Sequence, residues 1–151
     1  MKKSSIAVQI EKEHQCLKRD MGEIHREVMM DIRNEDFQDW RLEFMWRLRD
    51  FRNHLLKHFD LEEEGGFMNE ILTEKPEAMG QVKRLEAEHD DILASLDTIL
   101  RDLKIMQKKE IEKLQDIRKR VVTLISSIQA HESAENELIQ SVYYREYGYP
   151  S

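Results

Sequence analysis

The chain of 151 residues and 18.2 kDa is long enough to bury a core, and we expect one domain over residues 1–151. Charged residues make up 36 % and hydrophobic residues 40 % of the sequence, with only 5 glycines and 2 prolines, which is typical of long helices. The net charge of −7 argues against a nucleic-acid binder, the lone Cys16 excludes a disulfide framework, and no apolar run approaches the ~18 residues of a membrane span. We therefore expect a cytoplasmic protein with neither nucleic-acid nor membrane partners.

Few residues break the helical pattern, and they divide the chain into four segments. Asp36 is a candidate N-cap for the second helix, and Gly65 and Gly66 end or kink that helix. Pro76 suits the first turn of the third helix, and Gly148 ends the fourth. The predicted helices cover residues 4–33, 36–71, 75–104 and 108–146.

Apolar residues recur at alternating steps of three and four in every segment, which places them on one helix face. In the first segment this face carries Ile10, His14, Leu17, Met21, Ile24 and Val28. Four such helices with short connections predict an all-α protein, an antiparallel up-down-up-down four-helix bundle.

Polar residues interrupt these apolar faces at one level of the bundle. Each helix carries one histidine there, and two of the histidines are followed four residues later by a glutamate on the same face. A buried, unpaired carboxylate costs several kcal/mol, so two cations between the helices would explain both glutamates. The set is His14, His58, Glu62, His89, His131 and Glu135.

The spacing of this set resembles the hemerythrin-like family of HHE cation-binding bundles, over roughly residues 6–142. The matching pieces are Glu13-His14, His58-Phe59-Asp60-Leu61-Glu62-Glu63, Glu88-His89 and His131-Glu132-Ser133-Ala134-Glu135. The resemblance implies a centre of two non-haem iron ions. It also implies bridging carboxylates at Glu62 and Glu135 and terminal histidines at His14, His58, His89 and His131.

The chain departs from oxygen-carrying hemerythrins, which have a second histidine on the third helix where this chain has Leu85 and Leu93. Their last carboxylate is an aspartate five residues after its histidine, whereas Glu135 stands at four. These differences weaken the case for reversible oxygen carriage but leave the predicted metal site unchanged. The candidates for a seventh ligand are Glu132, Glu86, Glu63, His54 and water.

We expect a di-iron protein that binds dioxygen or a related ligand, such as nitric oxide or peroxide, for storage or sensing. No catalytic residue is assigned. Two alternatives stay open, a di-iron ferroxidase or peroxide-reducing enzyme and a metal-free helical interaction module. The sequence does not reveal the oligomeric state or the pathway.

Aromatic residues are predicted to pack at the two ends of the bundle. Trp40 and Trp46 are expected to anchor the end far from the histidines. A tyrosine-rich C-terminal segment is expected to dock against the bundle, with a contact between copies of the chain as the alternative. It contains Tyr143, Tyr144, Tyr147 and Tyr149.

Overall fold

A computed structural model describes residues 3–143, which contain four long helices, one short helix and no strand. The long helices form the predicted four-helix bundle, in which α1 and α4 each pack on both α2 and α5. The short helix α3 packs on α2 and α5. The helices are α1 (Ser5–Val28), α2 (Phe37–Glu63), α3 (Phe67–Glu74), α4 (Met79–Ile105) and α5 (Ile111–Tyr143), with 3-10 turns at Asn34–Asp36 and Pro76–Ala78.

Helix α1 ends at Val28, so the prediction that it continues to residue 33 was wrong. Side chains from other helices donate hydrogen bonds to the last carbonyl groups of α1. Arg118 donates to the Val28 carbonyl at 2.7 Å, and the Trp40 indole donates to the Glu27 carbonyl at 3.0 Å. Donors of this kind replace the intrahelical bonds that a continuing helix would make.

Helix α2 ends at Glu63, and the predicted second helix over 36–71 is in fact two helices, α2 and α3. A Cβ atom at Gly65 would lie 2.3 Å from the Leu61 carbonyl oxygen, and Gly66 has a φ of 95°. Both positions therefore require glycine, and the chain reverses there before α3 begins.

The starts of α2 and α4 agree with the prediction in part. Asp36 occupies the predicted N-cap position of α2, but its carboxylate makes no capping hydrogen bond and accepts from Arg33 at 3.1 Å instead. Pro76 opens a 3-10 turn, so the helical chain starts near the predicted position but α4 itself starts at Met79. Helix α5 begins at Ile111 and is described to Tyr143; the predicted end near Gly148 lies outside the described residues.

The apolar core is divided into two clusters by a polar layer that contains the four histidines. One cluster includes Leu17, Leu55 and Ile92, and the other includes Ile10 and Leu85. His14 follows Ile10 and precedes Leu17 on α1, and the other three histidines have similar places on their helices. The polar layer thus lies inside the bundle, between two apolar regions.

The aromatic predictions were confirmed in part. Trp40 is buried and stacks on Phe44 with ring centroids 5.1 Å apart, whereas Trp46 is 66 % exposed because it lies on the opposite face of α2. Tyr143 is buried and donates a hydrogen bond to Glu70 of α3, so the described end of the tyrosine-rich segment docks as expected. Tyr144, Tyr147 and Tyr149 lie outside the described residues.

Between residues 3 and 143, no helix combines the length and the apolar character that a membrane crossing requires.

Candidate metal centre

The structure brings the six predicted site residues together in the polar layer. None of their side chains is more than 4 % exposed, and both glutamates are fully buried. They form two overlapping groups, in each of which the ligand atoms lie within 4.8 Å of one another. One group is His14, His58, Glu62 and Glu135, and the other is Glu62, His89, His131 and Glu135.

Glu135 lies between the two pairs of histidines and presents one oxygen to each pair. Its Oε1 atom is 3.0 Å from His14 Nε2 and 3.9 Å from His58 Nε2. Its Oε2 atom is 3.3 Å from His131 Nε2 and 4.0 Å from His89 Nε2. A carboxylate in this position can contribute one oxygen to each of the two groups.

Glu62 lies on the other side of the layer. Its Oε1 atom is 3.0 Å from His89 Nε2 and 3.6 Å from His58 Nε2, so it reaches one histidine of each pair. Glu62 and Glu135 are therefore the two residues shared by both groups.

The outer nitrogen of every site histidine is held by a residue of a neighbouring helix. The Nδ1–H groups of His58, His89 and His131 donate to Glu13 at 2.7 Å, Glu63 at 2.8 Å and Glu88 at 2.7 Å. His14 Nδ1 is hydrogen-bonded to the Asn136 side chain at 2.9 Å, and its Nε2 atom is hydrogen-bonded to Glu135 Oε1 at 3.0 Å. Because a carboxylate can only accept, the contacts with Glu13, Glu63 and Glu88 place the proton of their histidines on Nδ1 and turn those Nε2 lone pairs toward the centre.

The four contacts run around the bundle in one direction and form a closed ring. Helix α1 holds the histidine of α2, α2 holds that of α4, α4 holds that of α5, and α5 holds that of α1. Each acceptor stands directly beside a site residue of its own helix, as Glu13 stands beside His14 and Asn136 beside Glu135. Each helix thus supplies site residues and also orients the histidine of its neighbour.

Burial and neighbouring charges set the protonation of the histidines. The pKa of His131 is lowered to about 4, chiefly by burial and also by the neighbouring His89, against the opposing effect of Glu88. Burial also lowers the pKa of His89 despite its bond to Glu63. Burial acts in the same direction on His58, but Glu135 and Glu13 raise its pKa by more, so its net pKa lies above the usual value. At neutral pH His89 and His131 are therefore uncharged, as metal ligands must be.

Several inner atoms of the site have no hydrogen-bond partner among residues 3–143. They are His58 Nε2, His89 Nε2, His131 Nε2, both oxygens of Glu62 and Glu135 Oε2. Such atoms are rare in folded proteins because burying a polar group without a partner costs free energy. Two ligand atoms about 2.1 Å from one ion lie about 3.0 Å apart at a right angle and about 4.2 Å apart when opposite. The observed spacings of 3.0–4.0 Å span this range, so the residues fit a pair of metal ions.

The candidates for a seventh ligand occupy different places. Glu63 is already bonded to His89, and His54 pairs with Asp20 at 3.1 Å, outside both groups. Glu86 is half-buried. Glu132 is only 7 % exposed, and burial raises its pKa.

Besides the roles of Glu13, Glu63 and Glu88, sequence reasoning missed those of Phe59 and Asn136. Phe59 stacks on His89 with ring centroids 3.9 Å apart and meets His131 edge-on at 5.8 Å, so it shields one pair of histidines from water. Asn136 holds His14, and its only signal in the sequence is its position directly after Glu135. No pattern in a single sequence distinguishes such a residue from a solvated one.

An open groove of about 1070 Å³ runs along the surface between α4 and α5. Where it passes the site it is lined by Leu85, His131, Ala134 and Leu138, and Glu88 lies at its edge. His131 therefore separates the groove from the centre, and the pair His89 and His131 lies on the groove side.

The comparisons with known proteins agree with this geometry. No curated protein and no solved structure is significantly similar to the chain. The family model of the hemerythrin HHE cation-binding domain matches residues 5–143, nearly the whole chain. With its four-helix bundle and its buried cluster of histidines and glutamates, the chain belongs to the hemerythrin HHE cation-binding domain family.

Proposed function

We propose that the protein is a non-haem di-iron protein that binds dioxygen or a related small ligand, such as nitric oxide or peroxide. The unpartnered nitrogen and oxygen atoms between the two apolar clusters of the bundle carry this proposal. His14 and His58 would hold one iron ion, His89 and His131 the other, and Glu62 and Glu135 would bridge them. A donor set of imidazoles and carboxylates without thiolate suits iron.

When bound, iron supplies one-electron redox chemistry and coordination positions for small ligands. The residues of the chain supply the environment for that chemistry. Glu13, Glu63 and Glu88 fix the imidazoles with Nε2 toward the centre, and their charge makes the histidines stronger donors. The apolar clusters on both sides of the layer exclude water.

The groove between α4 and α5 is the proposed entry path for the small ligand, because His131, one of the six site residues, lines it. Ala134→Phe would fill the groove beside His131. We expect azide to bind the iron-loaded variant at least tenfold more slowly, with the iron content unchanged. Ala87→Phe, on the exposed face of α4 outside the groove, is the control. Equal azide rates in both variants would place the entry path elsewhere.

Metal content and the optical spectrum test the main proposal. The protein is purified from iron-supplemented cells, the metal per chain is counted, and spectra are recorded before reduction, after reduction and after return to air. We expect two iron ions per chain and absorption bands that bleach and return. Protein without metal, or with zinc alone and no spectral response, would refute the proposal.

Two other functions predict different results. A ferroxidase or a peroxide-reducing enzyme would consume ferrous iron or peroxide over many turnovers, whereas a binding protein responds once per centre. A metal-free interaction module would leave the unpartnered atoms of Glu62 and Glu135 without any compensation.

The proposed location is the cytoplasm. Cys16 is half-buried, with Arg19 Nη2 at 3.3 Å from its sulfur, and would stay a free thiol in that compartment.

A further inference from the structure

The outward face of α2 carries large apolar side chains that the bundle leaves uncovered. Trp46 is 66 % exposed, Leu42 is 58 % exposed and Leu56 is 38 % exposed. Arg49 and Asn53, which are also exposed, lie between them. The five residues follow one another at steps of four, three, four and three, so they share one face of the helix over a length of about 20 Å. We call this face the α2 stripe.

The spacing and the residue types of the α2 stripe are those of a helix interface. Alternating steps of four and three are the spacing with which one helix packs along another. Helix α2 packs on α1 and α4, and the α2 stripe faces away from both because its side chains are exposed. Tryptophan and arginine are the residue types most enriched at the centres of protein interfaces. An exposed apolar stripe with this composition indicates a site for another helix.

The arginines on the two flanks of the stripe are used within the bundle. Arg47 pairs with Glu23 of α1 at 2.9 Å, and Arg52 pairs with Asp97 of α4 at 2.6 Å. These contacts hold α2 against its two neighbours, so the flanks of α2 are not available to a partner.

The charged residues on and beside the stripe itself are unused. Arg49, Asp50 and Lys57 are exposed, and their side chains form no ion pair or hydrogen bond with any residue between 3 and 143. A second copy of α2, packed antiparallel about a two-fold axis between residues 49 and 50, gives all three a partner. Arg49 of each copy then lies opposite Asp50 of the other, and Lys57 lies within one residue of the level of Glu43.

The same register also matches the apolar residues of the stripe. Leu42 comes within one residue of the level of Leu56 of the second copy, and Trp46 lies opposite Asn53. The exposed Asp39 and Asp60 meet at the two ends of the contact, where solvent screens their repulsion. A parallel alignment would instead place every charged residue beside its own equivalent. The stripe is therefore complementary to itself only in the antiparallel direction, as a two-fold interface requires.

We propose that the α2 stripe is the interface of a symmetric dimer, in which a second copy of the chain packs its own α2 stripe antiparallel across it. The groove between α4 and α5 lies on other helices and stays open in this dimer. The inference is therefore independent of the proposed function, and the dimer needs no metal.

Sedimentation equilibrium of the full chain over a wide range of protein concentration tests the inference. We expect a reversible monomer–dimer equilibrium, accompanied by a blue shift of tryptophan fluorescence as Trp46 becomes buried. Leu56→Glu should raise the dissociation constant at least tenfold, because it places a charge in the interface. Val122→Glu is the matched control, since Val122 is also 38 % exposed but lies on α5, and it should dimerise as the wild type does. Circular dichroism verifies that both variants are folded.

Cysteine cross-linking in a Cys16→Ser background tests the direction of the two helices. A mixture of Leu42→Cys and Leu56→Cys chains should form disulfide-linked dimers under a mild oxidant. Either variant alone should not, because its two cysteines would be separated by about 20 Å along the helices, far beyond the reach of a disulfide.

Four results would overturn the inference. They are a monomer at every concentration, whether or not the stripe binds some other protein, a dimer that Leu56→Glu leaves unchanged, equal weakening of the dimer by Val122→Glu, and efficient cross-linking of either cysteine variant alone. The last result would show parallel helices.

Discussion

Replacing Glu135 by leucine should make the metal-free protein more stable and prevent metal binding. Glu135 is fully buried, and its Oε2 atom has no hydrogen-bond partner. Leucine has a similar size and a similar helix propensity, so the change mainly removes a buried charge. In the metal-bound protein the same change removes the residue that presents an oxygen to both ions.

The expected size of the effect follows from the contacts of the carboxylate. Removing the charge recovers several kcal/mol of desolvation cost. Loss of the 3.0 Å contact between Oε1 and His14 Nε2 offsets about 1.5–3 kcal/mol of that gain, as for other hydrogen bonds to charged groups. We expect a net gain of about 1–3 kcal/mol, which raises Tm by roughly 2–12 °C in a chain of this size.

Metal reverses the order of stability. Each bound ion stabilises the wild type by about 2.7 kcal/mol when its free concentration is 100 times Kd, whereas Glu135→Leu should gain nothing.

Thermal unfolding by circular dichroism at pH 8, with chelator and with metal, measures both effects. Glu135→Leu removes one of the two carboxylates that raise the pKa of His58, and at pH 8 an imidazole with an ordinary pKa is mostly uncharged, so the variant leaves no unpaired cation at His58. Glu137→Leu, at an exposed position two residues away, is the control. A metal-free Glu135→Leu protein that is less stable than the wild type, or a variant that still binds two ions, would refute this reasoning.

Three further predictions concern pH, an outer contact and a turn. With chelator present, the free energy of unfolding should fall between about pH 6.5 and pH 4, because burial lowers the pKa of His131 to about 4 and the unfolded chain takes up its proton first. His131 alone accounts for a loss of unfolding free energy on the order of 3 kcal/mol, and the raised pKa of His58 offsets part of this loss. Equal urea midpoints at pH 7 and pH 5 would contradict the prediction. Glu88→Gln should weaken metal binding about ten- to a hundredfold in a titration, since Glu88 orients His131 at 2.7 Å, and an unchanged affinity would show that this contact has no such role. Gly66→Ala should destabilise the fold by about 1–2 kcal/mol, because Gly66 has a φ of 95°. Gly22→Ala should stabilise it by about 0.5–1 kcal/mol, because Gly22 lies in the middle of α1 with open space around it. Urea midpoints that shift in the same direction for both variants would contradict these two predictions.

The bundle could be predicted from the sequence because its apolar faces are regular, but the ends of the helices could not. The last carbonyls of α1 are capped by Trp40 and Arg118, which are 13 and 90 residues away from the carbonyls they bind. No local signal marks such a boundary. Gly65 and Gly66 are a local signal, and they indicated the end of α2 even though the predicted helix continued past them.

The candidate site could be predicted for the same reason. A histidine or glutamate on an apolar face is conspicuous, and helical spacing assigned all six residues to one layer. The outer contacts were not predicted, because Glu13, Glu63 and Glu88 lie among many exposed charges with the same composition. Only the three-dimensional structure shows which of these carboxylates accepts a bond from a buried imidazole.

The closed ring of contacts around the histidines has a consequence for how quickly metal could leave. Every helix in the ring both gives one contact and receives one, so displacing any helix breaks two contacts and removes at least one predicted ligand. We therefore expect the release of an ion to require a sub-global opening that separates at least one helix from both of its neighbours. The lifetime of a bound ion would then follow the opening rate of the bundle, and a strong chelator would remove metal at a rate independent of its own concentration.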